Sequence, residues 1–147
     1  MMSRWERYER FVWALTVWRE ASNQSFEAKA EVALVIKNRA NHPRWWGKNL
    51  IDVCTKPEQF TSMNTKTNDP NLRRWPTCGD PSFLDCMDLV DGAADGRLIP
   101  ILPGADHYFD ESIPAPWWAA KHPDKFLGTV GAFHFYSLEL MALKSKA

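Results

Sequence analysis

The sequence has no apolar run of about 18 residues, so no transmembrane helix is expected. It has no excess of either charge, with 18 Lys and Arg against 18 Asp and Glu in 147 residues. A basic stripe for neutralising phosphates is missing, which argues against general nucleic-acid binding and against attraction to an acidic membrane surface. The opening Met1-Met2-Ser3-Arg4-Trp5-Glu6-Arg7 lacks the apolar core of a signal peptide, and the expectation is a protein made in the cytoplasm. Cysteine is scarce. Cys54, Cys78 and Cys86 are an odd number without CxxC spacing, so free thiols in a reducing compartment are expected. Cys78 and Cys86 with a histidine make only a thin case for zinc.

Familiar motifs are missing too. There is no GxxxxGK[ST], GxGxxG or HExxH, which leaves nucleotide binding and zinc-peptidase chemistry without a signature. There is no GxSxG for an esterase-type nucleophile. His42, His107, His122 and His134 do not sit at helical metal spacing, and nothing pairs one of them with Cys54 or Cys86 as a nucleophile. No metal and no organic cofactor is expected. There is no internal repeat and no low-complexity tract, and the length fits one domain over residues 1–147.

Tryptophan is plentiful. Trp5, Trp13, Trp18, Trp45, Trp46, Trp75, Trp117 and Trp118 exceed what a core of this size needs, and flat rings also stack on sugars and bases. Trp5, Tyr8, Phe11, Val12, Leu15 and Trp18 recur at steps of three and four, which predicts a helix over 4–20. Ser22 to Ser25 breaks it, and Ser25 or Asn23 can cap a second helix over about 26–40 with Ala28, Val32, Val35 and Ile36 inward. Asn41-His42-Pro43 stops that helix. A short turn is expected around Leu50–Cys54, then a long irregular segment over 56–80. Asp80-Pro81 starts another helix to about Ala94, with Phe83, Met87, Val90 and Ala94 on one face and Gly96 at its end. Residues 105–109 and 132–136 read as two paired strands, with Pro114 to Trp118 a rigid aromatic loop between them and a short helix over Leu138–Leu143 after them. The fold class is α+β and mostly helical.

Among the carboxylates, Glu20 stands out. It closes an apolar helix two residues after Trp18, where burial would raise its pKa. Glycosidic bonds are cleaved by carboxyl groups, one of which must hold its proton near neutral pH. The residues alone leave a solvated surface Glu as the other reading.

Five blocks, in order, resemble a known family. Ala14 to Ala21 ends in Arg19-Glu20-Ala21 where the family has Gly-Glu-Ala. Glu27 to Arg39 ends in the family's Asn-Arg. Asp52-Val53 and Lys56 to Thr61 are similar to a block ending in Gln-Phe-Ser. Gly104 to Phe109, followed by Pro116 and Trp117, and Gly131 to Tyr136 resemble its aromatic strands. The family is that of the cell wall hydrolases typified by SleB and CwlJ, which also occur as small phage endolysins.

The resemblance implies a lysozyme-like fold shared with lytic transglycosylases. It implies cleavage of the β-1,4 bond between N-acetylmuramic acid and N-acetylglucosamine in peptidoglycan, with Glu20 catalytic and Gln59, Phe60, Tyr108, Trp117 and Tyr136 lining the cleft. A monomer that reaches the wall after holin-type release is the corresponding expectation. Three departures stand out. Arg19 replaces the family's Gly. Gln24 stands near a second family acid. His134 lies three residues after Gly131, where the family has two, so a strand bulge or a displaced His follows. A water-using muramidase would need a second acid, for which Asp106, Asp110 and Glu111 are available. A non-catalytic glycan-binding module would use the Trp residues and tolerate loss of Glu20.

Overall fold

The computed structural model describes residues 1–57 and 59–141. The first helix, α1, runs Arg4–Ala21, and Ser3 caps it by accepting the Glu6 amide. Its expected stripe holds only in its second half. Val12 through Arg19 are buried on all sides, whereas Trp5, Tyr8 and Phe11 stay exposed because the first turns reach past the packed core. Helix α2, Phe26–Asn41, is capped by Ser25, whose side chain accepts the Ala28 amide. It is buried nearly all round from Ala28 to Ile36. Helix α3 is short, Leu50–Thr55, capped by Asn49.

The described residues of 56–80 are irregular apart from two 3-10 turns, Thr61–Met63 and Pro70–Arg73. Helix α4, Pro81–Ala94, begins as expected on Asp80, which accepts the Ser82 and Phe83 amides. Its buried face is Cys86, Leu89, Val90 and Ala93, rotated from the expected one: Phe83 and Met87 are only partly covered and Ala94 is exposed. Helices α1, α2 and α4 pack on one another around Trp13, Trp18, Val32, Ile36 and Val90. Lys29 Nζ donates to Ser82 Oγ, which donates to the Ser22 carbonyl, so a polar chain links the three helices. The buried indoles are satisfied: Trp13 Nε1 donates to the Ala33 carbonyl and Trp46 Nε1 to the Arg39 and His42 carbonyls.

The last third forms a three-stranded antiparallel sheet in the order β1-β3-β2, with β1 His107–Asp110, β2 Phe126–Val130 and β3 Phe133–Tyr136. The two expected strands do pair, His107 opposite Tyr136 and Asp110 opposite Phe133. β2 was not expected: Gly128 interrupts its apolar pattern, and it carries the sheet's bulge, between Phe126 and Gly128. Gly131 sits at φ +60 in the tight β2–β3 turn, as short hairpin loops favour. Helix α5, Trp117–Lys121, replaces the end of the expected aromatic loop. Pro116 leads in with extended backbone, its carbonyl accepts the Ala119 and Ala120 amides, and Trp-Trp-Ala-Ala-Lys has nothing to oppose a turn of helix. The helix expected over Leu138–Leu143 lies partly outside the described residues. The architecture is mostly helical α+β. Among the described residues no helix is long and apolar enough to cross a membrane.

Candidate active site

A cleft of about 840 Å³ runs past the edge strand β1. Glu20 lies in it because α1 ends there: Ser22 follows as C-cap, and the last turn brings the Glu20 carboxyl against two other elements. Ser62 Oγ, in the first 3-10 turn, donates to Glu20 Oε2 at 2.7 Å. Tyr108 Oη, on β1, donates to Glu20 Oε1 at 3.2 Å. Burial pushes the Glu20 carboxyl above the usual carboxylate range. The Ser62 and Tyr108 hydroxyls pull the other way, the Asp69 charge adds to the rise, and burial prevails. Burial, and then the Glu20 charge, holds the Tyr108 phenol in its protonated form, so it remains a donor. The site therefore contains an acid whose carboxyl is held above the usual carboxylate range, and two hydroxyls that can hold its carboxylate once the proton leaves.

The expected cleft residues divide. Gln59, Phe60, Tyr108 and Trp117 line the cleft with Glu20. Phe60 is buried, with the Arg39 guanidinium 5.7 Å from its ring centre. Trp117, 74 % exposed, stands at the rim. Tyr136 is not brought to the cleft. The strand alternation that points Tyr108, Phe133 and Phe135 toward the helices turns Tyr136 to the opposite face, where Trp118 and Phe126 cover it at 5.4 and 5.3 Å. His134 shares that outer face. It stacks on Phe109 at 5.1 Å and lies 3.5 Å from Glu111, with no bulge in β3.

Of the three possible second acids, Asp110 lines the cleft, Glu111 is exposed outside it, and Asp106 is committed elsewhere. Asp106 is fully buried. Its carboxylate accepts from His107 Nδ1 and from the Leu138, Glu139 and Leu140 amides at 2.8–3.0 Å. Burial alone would raise its pKa; the His107 and backbone donors outweigh it and hold the group below the usual range. Among the described residues no three His, Cys, Asp or Glu side chains gather as metal ligands.

The departures have local roles. Arg19 is buried and straps the 61–75 segment to α1: Nε donates to the Arg74 carbonyl, Nη1 to the Ser62 carbonyl, and the guanidinium lies 4.7 Å from the Trp75 ring centre. The residue in the family's Gly position thus fixes the turn that carries Ser62. Gln24, near the family's second acid, instead accepts the Ala132 amide through Oε1 and pins the β2–β3 turn.

Ser62, Arg39 and His107 were not among the expected site residues, and Trp45 and Trp118 stood only among the tryptophans able to stack on sugars. Asn38-Arg39 was visible as part of a matching block, and its function is now physical. Asn38 Nδ2 donates to the Ala105 carbonyl, Arg39 Nε to that of Asp106, and Arg39 Nη1 to Gln59 Oε1, so α2 holds the start of β1 and one cleft wall. Ser62 follows the Gln59-Phe60-Thr61 block directly, and only that adjacency could have flagged it.

The family model for Cell Wall Hydrolase matches residues 23–136, most of the chain, beginning just after Glu20. No curated protein and no solved structure matches the chain. The matched span holds Ser62, Tyr108 and the other cleft walls that close around Glu20, and on it the chain belongs to the Cell Wall Hydrolase family of the SleB and CwlJ type, whose substrate is peptidoglycan.

Proposed function

We propose that residues 1–147 act as a single catalytic domain that cleaves the β-1,4 bond between N-acetylmuramic acid and N-acetylglucosamine as a lytic transglycosylase. The observation that carries this reading is the desolvated Glu20 carboxyl in the cleft, held by the Ser62 and Tyr108 hydroxyls. Protonated Glu20 gives its proton to the glycosidic oxygen as the bond to muramoyl C1 breaks. The carboxylate left behind is stabilised by its two donors. It then takes the proton of the muramoyl 6-hydroxyl, whose oxygen bonds to C1 and closes a 1,6-anhydro ring. The acid is regenerated and no water enters the product. A positioned acid/base of this kind supplies about 10²–10⁴-fold. Trp117 offers a flat face to a sugar ring. The Gln59 amide N–H, free of the Arg39 contact on its Oε1, suits an N-acetyl carbonyl.

A monomeric phage endolysin released to the wall by a holin is the biological setting we propose. A second reading is favoured by one observation: Asp110 lines the same cleft and could activate a water for hydrolysis. Mass spectrometry of soluble products from purified peptidoglycan separates the two. Anhydromuramic ends support the transglycosylase, reducing muramic ends support the hydrolase with Asp110, and binding without soluble products would reduce the protein to a glycan-binding module.

A further inference from the structure

In the cleft, the His107 ring is nearly enclosed, 7 % exposed, between three indoles. Trp118, Trp45 and Trp46 lie 5.0, 5.9 and 6.3 Å from its centre. Trp45 is fixed in turn, because its Nε1 donates to Glu139 Oε2 at 3.1 Å. The imidazole Nδ1 lies 2.9 Å from Asp106 Oδ1. That carboxylate already accepts three backbone amides and is held below the usual range, so it is ionised and the proton of this contact belongs to Nδ1. In the neutral ring Nε2 is then an acceptor. It has no hydrogen-bond partner among the described residues. It is also absent from their sealed unpartnered polar atoms, which are Arg19 Nη2 and Glu31 Oε2. The ring lines the cleft, and Nε2 is its nitrogen without a partner among the described residues.

We propose that His107 Nε2 is the polar contact of an N-acetylhexosamine subsite walled by Trp45 and Trp118, accepting a hydrogen bond from a sugar hydroxyl or acetamido N–H. The chemistry selects this ligand class. An acceptor among flat apolar faces suits a ring with C–H faces and donor groups at its edge. The Asp106 contact keeps the tautomer fixed, so the acceptor does not have to be reorganised when glycan arrives. Asp106 acts through His107 and is a positioning residue. The subsite rests on the peptidoglycan-cleaving reading above and extends it, since it contacts glycan through a group other than Glu20.

The test is binding of a peptidoglycan tetrasaccharide of alternating N-acetylglucosamine and N-acetylmuramic acid to the Glu20→Gln protein, which cannot turn it over, by calorimetry. Adding His107→Phe keeps ring packing and removes the acceptor. It is expected to weaken binding about 5- to 10-fold, the range of one net hydrogen bond, and His107→Gln, which retains an acceptor, is expected to recover part of the loss. In the otherwise unaltered Glu20→Gln protein, the ¹⁵N resonance of His107 Nε2 is expected to move upfield on titration with the tetrasaccharide, as an acceptor does when it takes up a bond. That readout needs no change at His107, so it decides the matter even where His107→Phe does not fold. Unchanged affinity in folded His107→Phe, or a stationary Nε2 resonance under saturating glycan, overturns the subsite while leaving the role of Glu20 intact. Absence of any binding by wild-type and Glu20→Gln protein would overturn the subsite together with the glycan-cleaving reading.

Discussion

Glu20 is one carboxyl under opposed influences, and its pH behaviour has a definite sign. Its folded pKa lies above the ordinary value of 4.5, so the native state keeps a proton that the unfolded chain releases. Stability therefore falls as pH rises from about 4.5 through the folded pKa and is level beyond it. Glu20→Gln removes that charge. Its melting temperature is expected to exceed that of the wild type at pH 7 and to converge on it at pH 4 and below, and a difference independent of pH would contradict the assignment. In the proposed mechanism the protonated acid is the reactive form, so activity is expected to carry the same sign and to fall as pH rises through this pKa.

Ser62 tests the other side of the balance. Its hydroxyl stabilises only the carboxylate, so Ser62→Ala is expected to move the alkaline limb of the rate profile to higher pH. The same change is expected to lower kcat about tenfold, from loss of one charge-assisted bond to the carboxylate formed during turnover. An unmoved limb would mean that Ser62 does not face the reacting acid.

At the scale of elements, the site depends on turns that hold helices against strands. Gly131 combines a positive φ with close quarters: a Cβ there would stand 3.0 Å from Ala28 Cβ and from Gln24 Oε1, the atom that accepts the Ala132 amide. Gly131→Ala is expected to cost about 1–2 kcal/mol in urea denaturation; a change below about 0.5 kcal/mol would show that the turn relaxes freely. The sequence was most legible where local chemistry decides, as at Ser25 and Asp80, whose side chains cap α2 and α4 as expected. It was least legible where distant partners decide. β2 is a strand because β3 pairs with it across Gly128. Tyr136 faces away from Glu20 because the register with β1 sets its side, which no spacing along one strand reveals. Glu20 itself was readable as an acid at the end of an apolar helix. Of its donors, Ser62, 42 residues away along the chain, was not identified, and Tyr108, 88 residues away, was expected in the cleft only through the family resemblance and not as a donor to Glu20.

For the whole molecule, one helical core carries both halves of the site: α1 supplies Glu20, and α2 fastens the sheet that supplies Tyr108 through Asn38 and Arg39. Unfolding as a single cooperative unit is the expected outcome. Trp13, Trp18 and Trp46 are buried across that core, so their fluorescence and the far-ultraviolet circular dichroism are expected to change at the same denaturant concentration. Two separated transitions would mean that the sheet and the helices unfold independently and that the site bridges two units. The central claim, that this core exists to present Glu20 to a glycan strand, is tested most directly by release of soluble fragments from purified peptidoglycan. Wild type and Glu20→Gln would be compared at equal concentration, with circular dichroism confirming that both are folded. Release reduced about 10²–10⁴-fold in the variant is the expected result; release at the wild-type rate would contradict the account and move the search for the acid elsewhere in the cleft, first to Asp110.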